Sequence, residues 1–302
     1  MKLAPGMPSV GQPQPVRLRN ARCLPPRRLF AACLLAAGLI LRLSSGAYAQ
    51  DVLLFDDFSG GGLDMSLWEV ATWNLGRTGF GLSPGMETEG STTFARFALE
   101  TYNPASAGTK LLGTEIYSDA SFSREEGIVC EARLRVVNAA APGQVAAFFL
   151  YEEYDGAADE IDYEFLTSQE NDQALLSSWN DWQTGYEEND GVHHADANPT
   201  VAGLDISEWT TLRMYWDQKG VRWEINGVTA HEETAVTPDQ NMKLRLSLWA
   251  PDANWSTAYD ASLAPAASSA QNATYFMDID YVKVSRADKA APAIPSVNLL
   301  LQ

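Results

Sequence analysis

The sequence predicts an all-β protein, a sandwich of two packed antiparallel sheets. Three observations point there. Short runs rich in aromatic and β-branched residues recur from Phe55 onward, several of them alternate cleanly between apolar and polar positions, and no long amphipathic helical pattern interrupts them.

In chain order, the runs are "VAAFFLYEEY" (145–154), "EIDYEFL" (160–166), "TTLRMYW" (210–216), "VRWEI" (221–225), "KLRLSLW" (243–249) and "YFMDIDYVKV" (275–284). "WDQKGVRW" reads as a hairpin with Lys219-Gly220 at its tip. The Gly- and Ser-rich stretches at 59–62 and 76–91 read as loops, and the polar region from Gly185 to Gly203, which holds His193 and His194, reads as a long surface loop.

The amino-terminal 49 residues contain no Asp or Glu, carry five arginines between Arg17 and Arg28, and then run apolar from Leu29 to Leu41. "SSGAYAQD" follows, with Ala47 and Ala49 at the small-residue positions of a cleavage site, so residues 1–49 read as a secretory signal cut before Gln50. The apolar run is too short to span a bilayer unaided. Residues 50–286 are then one catalytic-sized domain, and 287–302 an Ala/Pro-rich tail. The expected location is secreted, extracellular or periplasmic, with no stable membrane anchor after cleavage and the protein acting as a monomer.

Composition narrows the partners. Removing the seven basic residues of the leader leaves 14 Lys and Arg against 39 Asp and Glu, a formal charge of −25. Such a surface excludes nucleic acid as an expected partner and disfavours sulfated or carboxylated polymers. Cys23 and Cys33 leave with the leader, so Cys130 stands alone and the fold must rest on its core.

Within "DEIDYEFL", Glu160, Asp162 and Glu164 alternate with Ile161, Tyr163 and Phe165. A strand has a side-chain period of two, so the three acids share one face and the three apolar residues the other. Three like charges in a row raise at least one carboxyl pKa, which suits acid/base chemistry. Retaining glycoside hydrolysis needs such a set, one carboxylate to attack the anomeric carbon and one carboxylic acid to protonate the leaving oxygen. The plainer alternative is an amphipathic strand with a wet acidic face; Asp159 extends the acidic cluster on the other face.

"DEIDYEFL" resembles the signature of glycoside hydrolase family 16, in the uninterrupted E-x-D-x-E form of lichenases and xyloglucan endotransglycosylases. The similarity continues in the family's order through "FDDFSGGGLDMSLWEV", "GTEIYSDASFSREEGIVCEARLRV", "PGQVAAFFLY", "WTTLRMYWDQKGVRWEINGV", "LRLSLW" and "MDIDYVKV", about residues 53–285. The resemblance implies a concanavalin A-like jelly roll with a sugar chain lying across a concave sheet. It implies Glu160 as nucleophile, Asp162 as assisting carboxylate and Glu164 as general acid/base. Asn180, Trp182, Trp249 and Trp255 fall where lichenases line the cleft; for any one tryptophan, core packing is the competing reading. Asp280 matches a position through which family members hold a structural Ca²⁺, and no other cofactor is implied.

Departures bear on substrate. Ala158 stands where lichenases carry a Trp, Thr167 where a Gly is usual and Ser247 where an Asn is usual. His193, His194 and Asp196 suggest a metal site only weakly, because His231 is distant, and a solvated loop is the preferred reading. The expected function is an endo-acting retaining hydrolase of a β-1,3 or mixed β-1,3/1,4 glucan. The alternatives are a transglycosylase on β-glucan or xyloglucan, and a carbohydrate-binding jelly roll without turnover.

Overall fold

The computed structural model describes residues 51–106 and 108–287. The leader and the tail beyond Ala287 lie outside the described residues. Among those described, regular structure is strand apart from two single 3-10 turns, Arg124–Glu126 and Ser269–Gln271.

The strands form two layers. The first, here the cleft sheet, runs β12 (His194–Ala197), β11 (Leu175–Trp182), β10 (Ala157–Leu166), β9 (Val145–Tyr154), β16 (Met242–Trp249) and β7 (Leu111–Phe122). Beyond β7 lie β2 (Trp68–Val70) and β4 (Thr78–Leu82), with β3 (Asn74–Leu75) on β4. The second, outer sheet runs β15 (Val228–Glu233), β14 (Gly220–Ile225), β13 (Thr210–Asp217), β8 (Ile128–Val136) and β17 (Thr274–Arg286). β6 (Thr92–Glu100) and β1 (Val52–Asp56) share the far side of β17, and β5 (Gly85–Glu89) pairs with β6. A single residue pair, Glu100 with Leu112, joins the two sheets through β6 and β7. Every pairing but the parallel one of β4 with β7 is antiparallel.

The alternation in each strand sets what lies between the layers. Ile161, Tyr163 and Phe165 of β10 enter one core cluster with Met214, Trp216, Trp223 and Val282 of the outer sheet. Burying a side chain of this size contributes about 1.5–3 kcal/mol. Two polar tips cross the same core and must find partners there. The Tyr163 hydroxyl lies 2.7 Å from the carbonyl oxygen of Arg213 and 2.9 Å from that of Glu224, and the Trp223 indole donates to the carbonyl of Asp162 at 2.9 Å. Cys130 is a buried free thiol of the core.

Three sequence expectations need correction. The Gly-rich stretch 76–91 contains β4 and β5, and a glycine there serves close approach: a Cβ on Gly79 of β4 would lie 3.1 Å from the Asn74 side-chain oxygen and 3.2 Å from the Asn103 side-chain nitrogen. The region 185–203 is not all loop, since His194–Ala197 pairs with β11. The hairpin tip is Gln218-Lys219, Gly220 being the first residue of β14, where a Cβ would run into the Glu233 carbonyl. The following hairpin closes on Asn226-Gly227, both at positive φ (51° and 79°), as a two-residue turn of right twist requires.

Candidate active site

β10 is central to the cleft sheet, paired on both sides along most of its length. Its outward face carries Glu160, Asp162 and Glu164. All three line one cavity of about 460 Å³ together with Ser177, Trp179, His194, Trp249, Asn254 and Trp255. A smaller cavity of about 220 Å³ continues past Glu160 and is walled by Tyr151, Ala158, Trp179 and Trp182. Another cavity, of about 240 Å³, lies against the β13–β14 hairpin of the outer sheet and contains none of these residues.

Cross-strand register arranges the cleft floor in rows. Glu160 faces Tyr151 and then Lys243; Asp162 faces Phe149, Arg245 and Tyr117; Glu164 faces Ala147, Ser247 and Glu115. Each row thus runs from an acid of β10 to a residue of β16 and on to β7, where Lys243 meets Ser121.

Burial dominates the electrostatics. Burial and the adjacent Asp162 carboxylate push Glu160 well above the usual carboxylate range; Arg245 opposes them and Glu115 adds to them. Glu164 is also raised well above that range, by burial and then by Asp162 and Glu160, with no cation acting against them. Burial lifts Asp162 to about 7, although Ser177 and Trp179 stabilise its charge; the Ser177 amide donates to its Oδ1 at 3.1 Å. Three acids in such contact share protons, so that one can carry charge while a neighbour stays protonated. Glu115, on β7, is raised by burial to about 7, with Arg245 opposing.

Asp159 does not belong to this set. Buried on the opposite face of β10, it accepts hydrogen bonds from the Tyr154 hydroxyl (2.8 Å) and from the amides of Asp181 (2.8 Å), Asp239 (2.8 Å) and Gln240 (3.0 Å). It ties β11 and the loop before β16 to the end of the strand and does not line the cleft cavities.

The aromatic walls differ in part from the sequence reading. Trp249 and Trp255 line the main cavity, their rings 5.8 Å apart, and Trp182 lines the smaller one. Asn180 lines neither, and the position opposite Glu160 belongs to Trp179. The register shifts between Ala158 and Glu160, and Asp181 sits at φ 51° on the facing strand, so Trp179 and Trp182 both reach the cleft despite their odd spacing. They flank Ala158 and supply the aromatic wall that its small side chain lacks.

His194 is likewise misplaced by the sequence reading. It is buried on β12, stacked on Trp179 with ring centroids 3.3 Å apart, and lines the main cavity. The Asn189 amide donates to its Nδ1 at 2.9 Å, which fixes the neutral Nε2–H tautomer, and burial lowers its pKa. Thr167 binds the Ala141 carbonyl (2.8 Å) and accepts from the Gln144 amide (2.9 Å), giving its replacement of a glycine a structural task. Arg133 engages the carboxylate of Asp280, and no group of three or more His, Cys, Asp or Glu side chains suited to a metal occurs among the described residues.

A sequence profile for glycosyl hydrolases family 16 matches residues 109–275, more than half of the chain and the whole of the carboxylate strand. The chain belongs to glycosyl hydrolases family 16. It is therefore a glycoside hydrolase, and the two-layer fold agrees with family 16 structures. The β-glucanase of Bacillus licheniformis superposes with a TM-score of 0.59 at 18% identity, covering 78% of this chain and 98% of that one. A Bacteroides ovatus family 16 enzyme from a mixed-linkage glucan locus, in complex with a G4G4G3G product, gives 0.60 at 18% identity, covering 77% and 100%. The laminarinase catalytic domain of Thermotoga maritima MSB8 gives 0.59 at 15% identity, covering 79% and 98%. At these identities the likeness carries the fold alone. No curated protein sequence matches the chain.

Proposed function

We propose that this family 16 protein is an endo-acting retaining hydrolase of a neutral β-glucan, β-1,3 or mixed β-1,3/1,4, with Glu160 as nucleophile, Asp162 as assisting carboxylate and Glu164 as general acid/base. The observation that carries the reading is the shared cavity: all three acids of β10 line it, beside the indoles of Trp179, Trp249 and Trp255. Sugar rings present apolar C–H faces that stack on such indoles, while the acids meet the linkage between rings. The fold neighbours named as β-glucanase, mixed-linkage glucan enzyme and laminarinase support the substrate class.

In the first step Glu164 gives its proton to the leaving glycosidic oxygen as the Glu160 carboxylate attacks the anomeric carbon, forming a glycosyl ester and releasing the first product. In the second, the Glu164 carboxylate takes a proton from water, whose oxygen attacks the anomeric carbon and frees Glu160. Asp162 stabilises the proton on its neighbours through its own charge and is held in place by Ser177. Export after cleavage at Ala49-Gln50 belongs to the same proposal and rests on the composition of the leader.

The test is reducing-end release over laminarin, lichenan, xyloglucan, agarose and carrageenan. Hydrolysis of at least one neutral glucan, abolished by Glu160→Gln, is expected. Cleavage of the sulfated polymer with inert glucans would overturn the substrate assignment.

A further inference from the structure

The family match does not explain a part-buried cation in the cleft floor. Arg245 projects from β16 in the row of Asp162, but its guanidinium is drawn toward the next row and lies 4.6 Å from the ring centre of Tyr151, the register partner of Glu160. Two further rings enclose it, Trp73 at 5.2 Å and Tyr117 at 5.5 Å. Its Nη1 reaches Glu115 Oε1 at 3.4 Å, and its Nε is buried without a hydrogen-bond partner. A buried N–H left unsatisfied destabilises a fold, and a long ion pair does little to offset it. Such an arrangement serves its stability poorly and calls for a task.

The cation is also placed asymmetrically. Between Glu164 and Glu115 stand only Ala147 and Ser247, so the row of Glu164 contains no positive charge. Lys243, the other cation on this face, turns to Glu69 at 3.7 Å and to the Tyr117 ring.

We propose that Arg245 is a positioning residue of the reaction: tethered by Glu115 and seated on Tyr151, its fixed charge keeps Glu160 the attacking carboxylate while Glu164, with no cation in its row, remains the proton donor. This rests on the roles proposed above for the two glutamates. The electrostatics agree, since Arg245 is the cation acting on Glu160 and none acts on Glu164. The remaining groups toward Glu160 are Asp162 and Glu164 on its own strand and Tyr151 and Glu153 on β9. From β16 comes Lys243, and from β7 Glu115 and Tyr117. β11 offers only Ser177 and Trp179, with His194 and Asp196 behind them on β12. None but Arg245 and Lys243 is a standing cation.

The experiment is the pH dependence of kcat/KM for wild type, Arg245→Met, Arg245→Lys and Glu115→Gln on one soluble β-glucan. The acid limb reports ionisation of Glu160 and the alkaline limb that of Glu164. Arg245→Met should move the acid limb up by about one pH unit and leave the alkaline limb in place. Arg245→Lys should restore most of the shift. Glu115→Gln should move the acid limb down, because it removes a negative charge and frees the guanidinium. Opposite signs from the two variants would not follow from a loosened fold. Unmoved limbs with a uniform loss of rate, or equal movement of both limbs, would overturn the inference. If Arg245→Met does not fold, the Lys and Gln variants decide: a Glu115→Gln acid limb that rises or stays put overturns it. Glu160→Gln and Glu164→Gln run alongside judge the underlying roles separately. A Glu160→Gln enzyme that still turns over removes those roles whatever Arg245 does.

Discussion

The indole Nε1 of Trp223, on the outer sheet, donates a buried hydrogen bond to the carbonyl oxygen of Asp162, the middle acid of the carboxylate strand. Core and site therefore meet at one residue: its backbone is pinned from inside the sandwich and its side chain faces the cleft. Trp223→Phe keeps most of the apolar area but removes the donor from a buried carbonyl. Chemical denaturation should register a loss of about 1–3 kcal/mol. A variant as stable as wild type would mean that the bond contributes nothing to holding the strand.

Asp159 tests the division between structural and reactive acids on the same strand. Four donors converge on it, one from β11, two from the loop before β16 and one from Tyr154. Asp159→Ala should lower stability by about 2–4 kcal/mol, since charge-assisted hydrogen bonds are lost and buried amides are left unpaired. Below its reduced melting temperature, the positions of the two limbs of the pH–rate profile should stay unchanged.

The charge of Asp162 raises both flanking glutamates. Asp162→Asn removes that charge, so Glu164 should lose its proton at lower pH and Glu160 ionise at lower pH. Both limbs of the kcat/KM profile should move in the acid direction, with the optimum. An optimum moved to higher pH would contradict the electrostatic account.

Burial raises the site carboxyls, so between the usual carboxylate range and their folded values the native state binds more protons than the unfolded chain. Stability then falls as pH rises through that window. Replacing Glu160 by Gln takes one such group away. Near pH 7 the variant should melt higher than wild type, by about 2–4 °C for each kcal/mol relieved, and the gap should close toward pH 4. Equal melting temperatures across that range would show that burial does not strain the ionised site.

Trp179 stands beside Glu160 and is shared by both cavities. Trp179→Ala should raise KM for a polysaccharide about tenfold, equivalent to about 1.4 kcal/mol of lost stacking, with a smaller effect on an aryl glycoside that does not reach the wall. Equal losses on both substrates would place the indole in the support of Glu160 instead.

Much of this fold is written in the alternation of its sequence. The run at 145–154 coincides with β9, and those at 160–166, 210–216 and 243–249 fall inside β10, β13 and β16. β4, β5 and β12 escape because glycine and polar residues carry no apolar period; only their neighbours on the sheet define them. The acid trio is legible because a strict period of two survives across it. Trp179 is not, because a local register shift breaks that period between Ala158 and Glu160. Arg245 and Glu115 were accessible in principle: alternation in "KLRLSLW" and "GTEIYS" puts them on one face. That the two faces adjoin Tyr151 and Glu160 is a matter of sheet order, which connects segments 36 residues apart or more and leaves no local mark.

The central claim is that Glu160 attacks the sugar. Intact-protein and peptide mass spectrometry after incubation with a 2-deoxy-2-fluoro β-glucosyl or laminaribiosyl fluoride measures it directly, because the fluorine slows hydrolysis of the glycosyl ester. A single adduct on the peptide containing Glu160, lost in Glu160→Gln and still formed slowly in Glu164→Gln, is the expected result. An adduct on Glu164 or on any other residue, or none at all from an enzyme that cleaves glucan, would contradict it.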